Sequence, residues 1–210
     1  MIEQGTPEWH EQRRGKVTAS RFKDVLTKAR GGYGFGKTAL SYIAELQAER
    51  ETMLPTIVRP NEAMRWGHDH EDEAIAVYSE ITQRHVERVG FVERPELPGV
   101  GCSPDGIILS DNRGVEVKCP FSSRVHWGSL VAGVCPVEHL AQVQGCMWVT
   151  GCDEWDFCSY DKRFQDFGKR LFRVRVERDE KYIDNLAFRV ASFLEMMDAE
   201  LETLNERLNT

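Results

Sequence analysis

Two carboxylates and a lysine in the segment SPDGIILSDNRGVEVK (residues 103–118) could act together in catalysis. Along the predicted strand GVEVKCP side chains alternate between faces, so Glu116 and Lys118 point the same way. Asp105 lies on the preceding strand, which a turn at residues 110–114 folds back beside Glu116. Carboxylates bind Mg²⁺ through oxygen, and a neighbouring lysine can orient or deprotonate water, which is the chemistry of phosphodiester hydrolysis. A half-exposed strand carrying Glu and then Lys would give the same pattern, which is loose on its own.

A third carboxylate and a glutamine could complete this site. In the helix predicted for residues 61–80, Glu71 lies on the inward stripe, where a carboxylate is costly unless a metal or a lysine compensates it. Gln142 and Gln144 lie in the apolar run LAQVQGCMWV, and each needs a partner, either a water or phosphate or the backbone. The remaining polar residues near Glu71 are interpreted as mostly a solvated face: His68, Asp69, His70, Asp72 and Glu73.

A competing phosphate-binding motif lies at residues 31–38, where GGYGFGKT satisfies the Walker A pattern GxxxxGK[ST] before a predicted helix. A P-loop follows a buried apolar strand, whereas the preceding run RFKDVLTKAR has helical periodicity and many charges. No apolar strand ending in a Walker B aspartate is evident. We interpret residues 31–38 as a flexible loop that could contact DNA phosphate, with a P-loop ATP-binding module as the alternative.

Composition predicts one globular domain over residues 1–210, without a membrane-spanning run or a signal peptide. The net charge is −7, but residues 1–40 hold eight Lys and Arg against four Asp and Glu, a balance of +4 that leaves −11 elsewhere. A basic N-terminal face on an acidic body is compatible with DNA, although a solvated helical surface would give the same balance. The six cysteines form no CxxC pair and no disulfide framework, so we expect reduced thiols and a cytoplasmic protein.

The hydrophobic patterns predict helices on both sides of a small central sheet, an α/β or α+β fold. Thr6 and Pro7 should begin a short helix that Gly15 ends, and Thr18 or Ser20 should cap the next one. Further helices are predicted at residues 38–50, 61–80, 137–150 and 179–208, and strands in GFVER, GVGCSPDGIIL, GVEVKCPF, EWDFCSYD and RLFRVRVER. The last helix has a heptad-like apolar stripe, which we expect to pack on the protein's own core rather than on another subunit. That stripe consists of Val190, Leu194, Met197, Leu201, Leu204 and Leu208.

Five ordered motifs resemble the phage lambda exonuclease (YqaJ-type viral recombinase) family of the PD-(D/E)xK nucleases. They are TPEWHEQRRGKVTAS, MRWGHDHEDEA, CSPDGI, GVEVKCPFSSR and HLAQVQGCMWVTG, and the resemblance extends from about residue 4 to residue 183. It implies a restriction-endonuclease-like core with a central mixed sheet flanked by helices. It also implies an exonuclease that degrades one strand of duplex DNA from 5′ to 3′ and prefers a 5′-phosphorylated end. Mg²⁺ would be the cofactor, as a pair of ions per active site, with Mn²⁺ as a substitute.

Carried over by position, the resemblance implies a role for each matching residue. The metal would be bound by Asp105, Glu116 and the backbone carbonyl of Val117. The catalytic groups would be Lys118, Glu71 and Gln142. The DNA and its 5′-phosphate would contact Arg13, Thr18, Ser20, Ser103, Ser123 and Arg124. Met64 matches an apolar residue that wedges the duplex end apart, with an ordinary core methionine as the alternative.

The resemblance also implies partners. Members of the family close into a trimeric ring around DNA and act with a single-strand annealing protein in phage-type homologous recombination. We therefore expect a homotrimer that acts on double-stranded DNA ends, without membrane contact, in the cytoplasm of a bacterial host that carries the phage or prophage. A structure-specific DNA endonuclease of the same fold is the alternative enzyme, and a DNA-binding protein without catalysis is disfavoured by the intact Asp105, Glu116 and Lys118.

Overall fold

The computed structural model describes residues 2–56 and 58–209; residues 1, 57 and 210 of the predicted domain lie outside the described residues. The helices are α1 (Pro7–Arg13), α2 (Phe22–Val25), α3 (Lys37–Thr52), α4 (Glu62–Thr82), α5 (Ser123–Ala132), α6 (Val137–Thr150) and α7 (Glu180–Leu208). The strands are β1 (Val17–Thr18), β2 (Val92–Glu93), β3 (Val100–Cys102), β4 (Gly106–Ile108), β5 (Arg113–Lys118), β6 (Glu154–Tyr160) and β7 (Leu171–Glu177). None of the described helices is both long and apolar enough to cross a bilayer.

The strands form a mixed arrangement flanked by helices, as predicted, and it is divided into two small sheets. Their orders are β1-β3-β2 and β4-β5-β6-β7, and the parallel pairs are β1–β3 and β5–β6. The chain passes from the first sheet to the second through Ser103, Pro104 and Asp105. Because proline has no N–H to donate to a ladder, Pro104 favours a break here, and it leaves Asp105 at the junction of the two sheets.

The four-stranded sheet is covered on both faces, which places β5 between two helices. Trp155 and Phe157 of β6 belong to the core that contains α6, whereas Val115 and Val117 of β5 pack in a second cluster with residues of α4. Since neighbouring side chains of a strand point to opposite faces, Glu116 points away from the α4 cluster. The fold therefore directs Glu116 towards α6.

Most of the predicted elements are confirmed. The side chain of Thr6 accepts a hydrogen bond from the Trp9 N–H at 3.3 Å and begins α1, and Asn61 accepts from the Met64 N–H at 2.9 Å and begins α4. The prediction that Thr18 or Ser20 caps the next helix is wrong, because the residue before α2 is Arg21 and no side chain of the described residues caps that helix. Thr18 ends β1, and its hydroxyl lies 3.3 Å from Ser20 without capping the turn that follows.

The sequence patterns do not predict α5 or β1, and each omission has a physical reason. In α5 the apolar residues Val125, Trp127 and Val131 are 53%, 52% and 70% exposed, so they do not form the buried stripe that identifies a helix. β1 has two residues and is too short to show alternation.

The predicted core packing of α7 is confirmed in its first half and wrong in its last turns. Val190 and Met197 are fully buried, whereas Leu204 and Leu208 are 48% and 74% exposed. The last turns of α7 line an open cleft with Gln47 and Glu51 of α3. The end of the stripe is therefore a surface feature.

Candidate active site

The hairpin of β4 and β5 brings Asp105 beside Glu116. Asp105 directly precedes β4, and its Oδ2 accepts a hydrogen bond from the Val117 N–H at 2.7 Å. Glu116 is fully buried and Asp105 nearly so, whereas the side chain of Lys118 at the end of β5 is 35% exposed. The convergence of the three residues that the sequence predicted is thus seen in the structure.

The two oxygens of the Glu116 carboxylate have different surroundings. Oε1 accepts hydrogen bonds from the Lys118 ammonium and from Nε2 of Gln142, the latter at 2.6 Å. Oε2 is buried and has no hydrogen-bond partner. A buried carboxylate oxygen without a partner is costly, so Oε2 is a ligand position that a cation would satisfy.

Charge is unbalanced at this site. Burial raises the pKa of the Asp105 carboxyl well above its usual range, and the nearby Glu116 and Glu71 carboxylates raise it further. Burial also raises the pKa of Glu116, partly offset by Lys118. Burial works against the charged form of Lys118, but the Glu116 and Asp105 carboxylates outweigh it and raise the lysine pKa. Three carboxylates therefore share two cations, since Lys118 pairs with Glu116 and Arg88 pairs with Glu71, and Asp105 is the carboxylate left over.

The donors present fit a divalent cation of the Mg²⁺ type. Asp105 and Glu116 offer carboxylate oxygens, and the excess negative charge and the unpartnered Glu116 Oε2 are features that a bound cation would relieve. Within residues 2–56 and 58–209, no cluster of three or more His, Cys, Asp and Glu side chains is grouped to hold a metal. To bind a metal, Asp105 and Glu116 would therefore need further oxygen ligands from the backbone or from water. The resemblance implies that the backbone carbonyl of Val117 is one of them.

Glu71 approaches the pair from α4. Its side chain is 25% exposed and accepts a hydrogen bond from Nη2 of Arg88 at 2.7 Å, while Nη1 of Arg88 donates to the Asp105 carbonyl at 2.8 Å. Sequence reasoning missed Arg88, because it lies in a segment between α4 and β2 without any periodic signal. The interpretation of most of the other polar residues as a solvated face is confirmed, since His68, Asp69, Asp72 and Glu73 are exposed. His70 is the exception, because it is buried and stacks on Trp66.

The structure separates the two glutamines of α6. Gln142 donates to Glu116 in the active site. Gln144 donates to the Glu177 carbonyl at 2.8 Å and accepts from the Asp179 N–H at 3.0 Å, so it connects α6 to the start of α7. The backbone alternative is therefore confirmed for Gln144, whereas the partner of Gln142 is the Glu116 carboxylate, which neither alternative named.

Four of the residues predicted to bind phosphate form one cluster. Nη1 of Arg13 donates to the Ser103 hydroxyl at 3.0 Å, and Nη2 lies 3.5 Å from the Thr18 hydroxyl, which in turn lies 3.3 Å from Ser20. Trp9, which sequence reasoning missed, donates to Ser103 at 3.0 Å and lies under the Arg13 guanidinium. Burial lowers the pKa of Arg13, although nearby groups favour its charge. Within the described part of the chain, its side-chain hydrogen bonds go to the hydroxyls of Ser103 and Thr18 and not to a carboxylate.

Ser123 and Arg124 are not part of that cluster. Both lie in the first turn of α5, where Ser123 hydrogen-bonds to Asp161 and Arg124 is exposed. Met64 is 47% exposed, which rules out an ordinary core methionine. It lines a cleft of about 440 Å³ with Glu71 and Lys118.

Two clefts meet at Glu71. The cleft that contains Met64 and Lys118 lies on one side, and a larger one of about 740 Å³, lined by Trp9, Asp69 and Arg88, lies on the other. Glu71 therefore lines both clefts.

The glycine-rich segment at residues 31–38 lacks the setting of a P-loop. It follows the short helix α2 where a P-loop requires a buried strand, and Tyr33 is 89% exposed. The carbonyl of Gly34 accepts a hydrogen bond from Nη2 of Arg189 at 3.2 Å, so the loop contacts the last helix, α7.

Comparison with known proteins gives consistent results. The sequence profile of a family described as "YqaJ-like viral recombinase domain" matches residues 8–153. Crystal structures of LHK-Exo, an alkaline exonuclease from Laribacter hongkongensis, superpose with a TM-score of 0.88 at 37% identity over 97% of this chain and 98% of LHK-Exo. One of them contains dAMP. This likeness confirms the predicted mixed α/β nuclease fold.

Two relatives match over shorter stretches. ExoD of Escherichia coli K12 is 44% identical over 63 residues, which are 30% of this chain and 70% of ExoD. Protein R354 of Acanthamoeba polyphaga mimivirus is 27% identical over 185 residues, which are 80% of this chain and 32% of R354. The chain therefore spans about a third of the length of R354.

Proposed function

Because the chain belongs to the YqaJ-like viral recombinase family, as its motifs predict, we propose that it is a Mg²⁺-dependent exonuclease that degrades one strand of double-stranded DNA from 5′-phosphorylated ends, from 5′ to 3′. The observation that carries the proposal is the buried Glu116 carboxylate. One of its oxygens is bound by Lys118 and Gln142, while the other has no partner and Asp105 lies close by.

Each group of the site has a role in this proposal. Asp105, Glu116 and the Val117 carbonyl hold Mg²⁺, with Mn²⁺ as a substitute, and the metal supplies positive charge to the scissile phosphate and the attacking water. Lys118 lies beside Glu116, half-exposed to the cleft, and orients the water and offsets charge in the transition state. Gln142 fixes the Glu116 carboxylate, and Glu71 presents a further carboxylate from α4.

The 5′-phosphate binds, in this proposal, at the Arg13 cluster. Ser103 hydrogen-bonds to Arg13 and precedes Asp105 by two residues, so the phosphate cluster and the metal carboxylates share one short segment. Ser123 and Arg124 contact the DNA from α5, and Met64 at the cleft wall separates the strands of the duplex end.

We further propose that the single domain acts as a homotrimeric ring in phage-type recombination, together with a single-strand annealing protein, in the cytoplasm of a bacterial host. The basic balance of residues 1–40 against an acidic remainder supports a positive channel inside an acidic exterior. Sedimentation of the protein, alone and with DNA, measures its oligomeric state. A monomer under both conditions contradicts the ring.

The direct test compares linear duplexes with a 5′-phosphate or a 5′-hydroxyl, with and without Mg²⁺ and ATP. We expect mononucleotides from the 5′-phosphorylated strand when Mg²⁺ is present, and no effect of ATP. Release that requires ATP contradicts the proposal and favours the P-loop alternative at residues 31–38. Cleavage of closed circular DNA would instead favour the structure-specific endonuclease.

Replacing Arg13 should remove the end preference. The Arg13→Gln protein loses the guanidinium that the hydroxyls of Ser103 and Thr18 hold in place, so we expect the rate ratio between 5′-phosphate and 5′-hydroxyl ends to fall by about 10-fold or more. The exposed Lys181 of α7 provides the control, because Lys181→Gln removes one positive charge away from the cluster. An unchanged ratio in Arg13→Gln shows that the phosphate binds elsewhere.

A further inference from the structure

Arg88 connects the two elements that carry the carboxylates. Its Nη2 lies 2.7 Å from Oε1 of Glu71 and 3.1 Å from Oδ1 of Asp72, both on α4, and its Nη1 donates to the Asp105 carbonyl at 2.8 Å. Asp72 is 91% exposed and contributes little, because water screens an exposed pair. The contacts that fix the guanidinium are therefore those with Glu71 and Asp105.

Glu71 needs such a partner because the other carboxylates repel it. Its charge raises the pKa of both Asp105 and Glu116, so the three groups lie close enough to interact. Lys118, which interacts electrostatically with Glu71, donates its hydrogen bond to Glu116. Within residues 2–56 and 58–209, Arg88 is the cation that lies within 4.0 Å of Glu71. Without Arg88, repulsion would turn Glu71 towards solvent.

The backbone of Arg88 is anchored next to the site. The preceding residue, Glu87, exchanges two hydrogen bonds with Ile107 of β4, with N···O distances of 2.8 and 2.9 Å. Asp105 lies two residues before Ile107 and is held by the Val117 N–H at its side chain and by Arg88 at its carbonyl. The position of the guanidinium is thus defined relative to β4, as a positioning group requires.

We propose that Arg88 is a positioning residue for the nuclease reaction: it holds the Glu71 carboxylate and the Asp105 backbone in the arrangement that the reacting phosphate requires. This rests on the proposed function of the site. Arg88 acts through Glu71 and Asp105 and does not bind DNA, although it lines the larger cleft and is 43% exposed.

The test compares Arg88→Met with Arg88→Lys and with Arg84→Met in steady-state digestion of a 5′-phosphorylated duplex. Methionine keeps an unbranched apolar stem but removes the guanidinium and its charge, so we expect kcat to fall by about 10- to 100-fold, with KM for DNA within about twofold of wild type. Lysine restores part of kcat, because one ammonium cannot reproduce the forked contacts. Arg84 lies in the same segment, is half-exposed and pairs with Asp111 away from the site, so its variant should keep wild-type kcat.

A double-mutant cycle with Glu71→Gln tests whether Arg88 acts through Glu71 or through the general stability of the fold. If Arg88 acts through Glu71, Arg88→Met lowers kcat less in the Glu71→Gln background than in wild type. A rise in KM with a weaker salt dependence of DNA binding would overturn the proposal, since it identifies a phosphate contact. An Arg88→Met protein whose kcat equals that of the wild-type protein would also overturn the positioning role. The proposed function would stand in that case, because the wild-type protein still digests DNA. A wild-type protein that releases no nucleotide with Mg²⁺ contradicts both.

Discussion

The Lys118→Ala protein is expected to bind duplex DNA nearly as well as wild type and to release almost no nucleotides. Lys118 donates to Glu116 Oε1 from the end of β5, and it lines the cleft that Met64 and Glu71 also line. A group that orients the attacking water and offsets charge contributes mainly in the transition state. Its loss should therefore lower kcat by about 10²- to 10⁴-fold and change KM little.

The control for this prediction is another lysine that forms an ion pair. Lys162 lies 3.6 Å from Glu73 and is 45% exposed, so Lys162→Ala removes a surface pair and should leave the rate unchanged. Melting of Lys118→Ala with and without Mg²⁺ shows whether the protein is folded. A folded Lys118→Ala protein with a rate near wild type would contradict the role of the lysine.

The sequence predicted the convergence of Asp105, Glu116 and Lys118 better than the division of the strands into two sheets. Alternation along GVEVKCP is a local property of one strand, so it placed Glu116 and Lys118 on a common face without any knowledge of the tertiary fold. The division into two sheets depends on strands of two and three residues, such as β1 and β3, whose pairing partners are distant in sequence. Periodicity within a short segment carries no information about such pairing.

The residues that sequence reasoning missed are those that act through long-range contacts. Arg88 contacts Asp105 from 17 positions away, and Trp9 reaches Ser103 across 94 positions. Neither belongs to a periodic pattern, and an arginine in a loop is usually a solvated side chain. Gln142 and Gln144 could not be distinguished from the sequence either, because both lie in the same apolar run. Only the tertiary fold shows that Gln142 contacts Glu116, whereas Gln144 contacts the backbone.

Replacing Asp105 by asparagine should stabilise the metal-free protein while it abolishes Mg²⁺-dependent activity. Asparagine keeps an oxygen to accept from the Val117 N–H, and it removes the charge that burial and the carboxylates of Glu116 and Glu71 disfavour. Relief of this repulsion by about 1 kcal/mol would raise Tm in a chelator by about 2–4 °C. Mg²⁺ at about 100 times its Kd stabilises a folded protein by about 2.7 kcal/mol, and this increment should disappear in Asp105→Asn.

The buried Asp156 provides the matched comparison, because replacing it by asparagine should lower Tm where Asp105→Asn raises it. Asp156 is fully buried like the active-site pair, but it accepts from the Tyr78 hydroxyl at 2.6 Å and lies within 4.0 Å of three guanidinium groups, those of Arg113, Arg173 and Arg175. Its charge is compensated, so Asp156→Asn removes the carboxylate that pairs with Arg173 and weakens the pairing of Arg113 and Arg175, and it should lower Tm with and without Mg²⁺. A carboxylate placed for a metal destabilises the metal-free fold, whereas one placed for structure stabilises it. A lower metal-free Tm in Asp105→Asn, similar to that of Asp156→Asn, would place Asp105 among the structural carboxylates and contradict its assignment as a metal ligand.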